Sequence, residues 1–101
     1  MSRVEWLKNE SHYLMKGELT RETVPQLWEE LKQWIPEKTE IELSLLDTKR
    51  IDSAGMVMLI HLIQHAKNSN CHIMLCFVPD QLRMLFQLSN IESMIVGHLK
   101  N

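Results

Sequence analysis

A chain of 101 residues with 45% hydrophobic and 24% charged residues is one globular domain rather than a disordered tail, and its core leaves little room for a deep substrate cleft. A net charge of −2 with no long run of one sign argues against nucleic acid, which asks for a clustered basic face. The longest apolar run, Ala54 to Ile63, is interrupted by His61 and is too short to span a bilayer; Met1 to Glu5 carries no apolar signal core, so a cytosolic location is expected.

Val4–Leu7 and His12–Lys16 read as two short strands around a Lys8–Ser11 turn, an antiparallel hairpin, and Gly17–Thr20 ends the second strand. Val24, Leu27, Trp28, Leu31 and Ile35 then recur at helical spacing. Thr23 with Gln26 fits a capping box, Thr20 is a rival start, Pro25 is tolerated in a first turn, and Pro36 stops the helix. In the next strand Ile41, Leu43 and Leu45 alternate with Glu40, Glu42 and Ser44, one face buried and the other polar.

The turn Asp52-Ser53-Ala54-Gly55 follows and opens a helix running to about Ser69. A helix start has unpaired N–H groups and a positive dipole end. A serine there can cap, bind an anion, accept a phosphate or sit in an interface; Asp52 is the better cap. Along this helix His61, Gln64, His65 and Asn68 form one polar stripe, and Met56, Leu59, Ile63 and Ala66 lie opposite, toward the sheet. Extended back one turn, the outer stripe meets apolar Ala54, Val57 and Met58 beside Ser53. Either these make a protein contact surface, or the chain's own N-terminal strands and loops cover them.

Ile73, Leu75 and Phe77 mark a fourth strand with Met74 and Cys76 on its other face; apolar on both sides, it belongs in the sheet interior. Pro79-Asp80 begins a third helix with Leu82, Leu85, Phe86 and Leu88 inward, and Met94–Val96 adds a last short strand or simply packs. The order ββαβαβα, with a parallel right-handed βαβ unit, gives an α/β fold: a single mixed sheet of about four to five strands with helices packed on it.

Catalytic chemistry finds no support. His61 lies roughly 12 Å along the helix axis from Ser53, too far for a nucleophile and its base. His61 and His65 have a metal-compatible spacing but no third ligand, and they read as solvated. Cys71 and Cys76 share one strand-like run and read as small core or edge residues. There is no glycine-rich phosphate loop, and no cofactor is implied.

Taken in order, Gly17-Glu18-Leu19, Ile41-Glu42-Leu43-Ser44, Ile51-Asp52-Ser53-Ala54-Gly55 leading into Leu59–Ile63, and Leu85–Ile91 make the chain resemble a STAS domain over nearly its whole length, one domain across residues 1–101. Gly17–Leu19, Pro25–Trp28 and Leu59–Ile63 with Ala66-Lys67 resemble most the branch that serves phospholipid transport in Gram-negative bacteria. That resemblance implies a cytoplasmic, non-catalytic subunit, peripheral to the inner membrane. It would bind the ATPase subunit of an ABC transporter and, through it, meet the permease. The family's functional hydroxyl falls on Ser53, where that branch has Thr, and Ala54 stands in place of a Gly. The docking surface implied is Ser53, Ala54, Val57 and Met58, with Thr20 at its rim. Ser is also what the phosphorylated anti-sigma factor antagonists of the family carry, so a switch through phosphorylation of Ser53 is the alternative, and a serine that only caps the helix is the third reading.

Overall fold

The computed structural model describes residues 3–100; Met1 and Ser2, part of the N-terminal segment read above, and Asn101 lie outside the described residues. Strands β1 (Val4–Asn9) and β2 (His12–Leu19) form the antiparallel hairpin, paired from Val4↔Gly17 to Asn9↔His12. The turn is tighter than expected: two residues, with Glu10 in the left-handed region at φ 55°. The chain continues through α1 (Val24–Leu31), β3 (Glu40–Ser44), β4 (Thr48–Ile51), α2 (Ser53–Lys67), β5 (His72–Cys76), α3 (Asp80–Leu88), α4 (Glu92–Ile95) and, after a single 3₁₀ turn, β6 (Leu99–Lys100).

All strands belong to one mixed sheet of order β1-β2-β3-β5-β6, and every pairing after the hairpin is parallel. β2 has two partners in series on the same side. Its His12–Leu14 half pairs β3, and its Gly17–Leu19 half pairs β4. The handover falls between Leu14 and Gly17, and a bulge between Gly17 and Glu18 follows within the β4 pairing. Gly17 sits at φ 118°, and a Cβ there would lie 2.2 Å from the Arg3 carbonyl oxygen, so only glycine fits. Buried Trp6, Tyr13, Met15, Ile41, Leu43, Ile73 and Leu75 point to one face, while Leu14, Glu42, Ser44 and Met74 on the other stay half-exposed. The helices therefore cover one face of the sheet.

The described residues form six strands, more than the expected four to five. β4 reads Thr-Lys-Arg-Ile, with only its ends buried, so it has no alternation to detect. β6 is two residues long, too short for any pattern. Met94–Val96 adds no strand: Glu92–Ile95 is helical, and Ile95 packs in the core. α1 ends a turn early, at Leu31. Trp34 then turns inward, its ring 5.5 Å from both Trp6 and Tyr13, and Ile35, expected on the inner face, is 78% exposed. A residue before proline is steered out of the α region, and anchoring Trp34 sends its neighbour outward.

Thr23 makes no capping bond to its helix. Its hydroxyl donates to the Glu18 carbonyl at 2.8 Å and accepts from Thr20 N–H at 3.0 Å, which secures the β2–α1 turn instead. β5 ends at Cys76, and Phe77, at φ 54°, turns out to solvent rather than continuing the strand. Leu82 and Phe86 of α3 are buried, Leu85 is half-buried, and Leu88 is exposed because the helix runs past the edge of the core there. Among the described residues, no helix is long and apolar enough to cross a membrane.

Candidate functional site: a groove at the start of α2

Ile51 closes β4, and the chain passes through extended Asp52 (φ −120°, ψ −171°) directly into α2. The Asp52 carboxylate has two duties. Oδ1 accepts the Gly55 N–H at 3.1 Å, which caps α2; Oδ2 accepts the Arg21 N–H at 3.0 Å, which ties in the β2–α1 turn. Burial pushes this carboxyl up, but the N–H groups of Arg21, Gly55 and Ala54 outweigh it and hold the acid below the usual carboxylate range. Gly55 lets the first turn of α2 sit on the end of β2, since a Cβ there would lie 2.2 Å from the Leu19 carbonyl oxygen.

Because Asp52 provides the cap, the Ser53 hydroxyl stands free of that duty, on an exposed residue at the first helical position. Ala54 is half-buried and Val57 is 44% exposed. Two other residues expected at the surface are not there. Met58 is only 3% exposed. α2 is packed against the sheet on one side and α1 on another, so it buries a wider arc than a helix lying on a sheet alone. The cover over this arc is α1, not the N-terminal strands. Thr20 is 2% exposed rather than at a rim. Its Oγ accepts the Glu22 N–H at 3.3 Å, inside the turn that Asp52 draws shut.

Ser53, Ala54, Val57 and His61 of α2 face Val24, Pro25 and Trp28 of α1 across a groove of about 560 Å³, with Met58 as its floor. The α1 wall was missed in the sequence. Its signal was present: Leu27 and Leu31 take the core, which leaves Val24 and Trp28, four apart, as a second apolar stripe. The Trp28 ring lies 6.1 Å from His61 and 6.3 Å from His65. His65, expected in the solvated stripe, is half-buried and donates from Nε2 to the Trp34 carbonyl at 2.7 Å, because the chain after α1 folds back over it.

A second hollow lies on the uncovered sheet face, around His12, Glu42, Ser44, Cys76, Phe77 and Lys100. Its charges close on one another. Glu42 bonds Lys100 and lies 3.3 Å from His12, and the Lys100 ammonium holds the Glu42 carboxyl below its ordinary value. Cys71 and Cys76 are free and buried, and burial pushes both thiols up, away from the reactive thiolate.

The family described as "Mlab, STAS domain" matches residues 2–97. The chain is 29% identical over 90 residues to the intermembrane phospholipid transport system binding protein MlaB of Escherichia coli K12, covering 89% of this chain and 91% of that one. It is 29% identical over 87 residues to the protein of the same name from Haemophilus influenzae, with 82% and 83% covered. Among solved structures, the Bacillus cell fate determinant SpoIIAA in its phosphorylated form superposes with a TM-score of 0.67 at 16% identity, over 98% of this chain and 88% of that one, a likeness of fold.

Proposed function

This chain belongs to the MlaB-type STAS domain family, and from that premise we propose that it is a non-catalytic subunit that binds the ATPase of an ABC phospholipid transporter and stabilises or regulates it. It would lie on the cytoplasmic side of the inner membrane, held there through the complex, and help maintain outer-membrane lipid asymmetry. The observation that carries this reading is the apolar groove at the start of α2. Ser53 and Val57 stand at its lip, Ala54 and Met58 line it, and Trp28 forms the opposite wall. Such a patch, apolar at its centre and flanked by polar groups, fits a protein partner better than a small substrate. The relatives named above, binding proteins of a phospholipid transport system, support the choice of partner. Met58 would act by shaping the floor and Thr20 by holding the turn behind the lip.

The test is copurification of the chain with a co-expressed ABC ATPase. Wild type is expected to be retained, and Ser53→Glu and Val57→Asp to be lost while remaining folded. Retention of both variants at wild-type levels would overturn the site assignment.

A second reading rests on the exposed Ser53 hydroxyl, freed from capping by Asp52. Phosphorylation there would add about −1.5 to −2 charges at the groove lip, and a desolvated interface would reject them. In that case the chain is an anti-sigma factor antagonist switched at Ser53. An intact-mass measurement on protein from native cells decides it: a species heavier by one phosphate supports the switch, and its absence under every growth condition removes it.

A further inference from the structure

The segment Val96–Lys100 is attached to the outer edge of β5 by a reciprocal arrangement of two histidines. His98 is 7% exposed, and its Nδ1–H donates to the Ile73 carbonyl of β5 at 2.9 Å. His72, on β5, donates from Nε2–H to the Gly97 carbonyl of the segment at 3.0 Å. Each side therefore uses an imidazole to bond the other's backbone. The rings stack with centroids 4.5 Å apart and 23° between planes. Beyond this clasp the segment is held by the short β6 ladder, Leu75↔Leu99 and Cys76↔Lys100, by Leu99 packing against the core, and by the exposed Lys100–Glu42 pair.

A carbonyl only accepts, so each histidine has one nitrogen committed as a donor and the other free to take a proton. Both bonds survive protonation; the stacked, part-buried geometry does not tolerate it well. A first proton places a cation in a desolvated site, and a second sets like charges face to face. We propose that Val96–Lys100 is a pH-gated clasp, closed over the β5 edge while the buried His98 imidazole, stacked on His72, is neutral, and released as His98 takes up a proton.

Around His98 the surroundings favour release, and the carboxylate on the other side of the clasp works against it. Lys67 of α2 adds positive charge near His98. Glu40 of β3, opposite His72 in the register, is the acidic group nearest in the ladder, and Glu42 is already engaged by Lys100 and His12. Burial, with His72 and Lys67 behind it, holds the His98 imidazole below its ordinary value against the Ile73 bond that raises it. The folded state then binds fewer protons than the unfolded one. Its stability is full above the ordinary histidine range and falls as pH drops through that range toward the depressed value. With the segment lifted, β5 presents an unpaired edge that another strand can join.

Hydrogen exchange of the 96–100 and β5 amides, corrected for intrinsic rates, tests this at about pH 7.5 and about pH 5.5. In wild type the low-pH exchange is expected to be several-fold faster at these amides, up to ~10-fold, and unchanged in α1. His98→Asn keeps a donor near Nδ1 and cannot titrate, and His72→Gln does the same for Nε2; each should remove most of that increase while keeping protection at neutral pH. Equal protection at both pH values in wild type overturns the proposal, as does a pH response that survives in both variants. The His98 ring titration, followed by NMR in wild type, gives a reading that needs no variant: a midpoint at or above the ordinary histidine value also overturns it.

Discussion

Asp52 and Arg21, 31 residues apart, are joined by one hydrogen bond: the Asp52 Oδ2 accepts the Arg21 backbone N–H at 3.0 Å while Oδ1 caps α2 through Gly55. A single carboxylate thus fixes the start of α2 against the turn that leads into α1, and with it the two walls of the groove. Asp52→Ala removes both bonds and should destabilise the domain by about 1–3 kcal/mol, measured by denaturant unfolding. Asp52→Asn keeps an acceptor for one N–H and should cost less.

The same carboxylate gives a pH prediction with a definite sign. Its folded value is depressed, so its stabilisation is present above the unfolded aspartate value of about 3.9 and is lost as pH falls through the lower, folded one. Wild type should lose stability across that acid window faster than Asp52→Asn does, by parallel urea titrations. Curves of equal slope would show that Asp52 is no more than a neutral acceptor.

Gly55 and Gly97 should differ sharply in their response to alanine. A Cβ at Gly55 meets the Leu19 carbonyl oxygen at 2.2 Å and Ile51 Cγ1 at 2.9 Å, and backbone cannot yield cheaply; at Gly97 nothing lies within 4 Å. Gly55→Ala is expected to cost about 2–4 kcal/mol. Gly97→Ala should fall within about 0.5 kcal/mol of wild type. Thermal unfolding of the pair is sufficient to test this.

Val57 and Met58 are neighbours in sequence with different expected costs. Val57→Asp places a charge on a 44% exposed residue and should leave stability within about 1 kcal/mol of wild type. Met58→Asp places one at a 3% exposed site and should unfold the domain or cost more than about 3 kcal/mol. Circular dichroism melts separate them, and a Met58→Asp protein with wild-type stability would show that the groove floor is open.

Trp28→Ala should reveal whether the α1 wall takes part in docking. Trp28 is half-buried and lines the groove, and central aromatics of an interface often carry about 2 kcal/mol or more of its binding. ATPase binding by calorimetry is expected to weaken at least ~10-fold, and an unchanged affinity would remove α1 from the interface.

What was legible in the sequence was local. Ile41, Leu43 and Leu45 announce a strand by alternation, and Asp52 three residues before Gly55 announces a cap. Met58 and Thr20 were misplaced because their burial depends on α1 and on Asp52, partners far along the chain. A helical projection assigns one buried arc, whereas α2, with Gly55, Met56, Met58, Leu59, Leu62, Ile63 and Ala66 all buried, has a much wider one. The α1 wall of the groove was hidden for the same reason: the docking of two helices leaves its mark on both, and neither stripe identifies its partner. β4 and β6 were missed because four residues with charged Lys49 and Arg50 at the centre, or two residues at all, carry no period to read.

The division of β2 between β3 and β4 has a consequence for where the chain can be cut. The loop joining those two strands carries exposed Leu46 and Asp47, and its ends rest on successive stretches of the same strand. A protease nick between Leu46 and Asp47 interrupts the covalent path while leaving the Asp47 carbonyl in place to accept the Gly17 N–H at 3.0 Å. Residues before it contribute β1, β2, α1 and β3; residues after it contribute β4, α2, β5 and all that follows. The halves interlock through β2–β4 and β3–β5, and α1 and α2, the two sides of the groove, come from different halves. Two fragments meeting at this loop are thus natural complementation partners, and reassembling the sheet would also reassemble the groove.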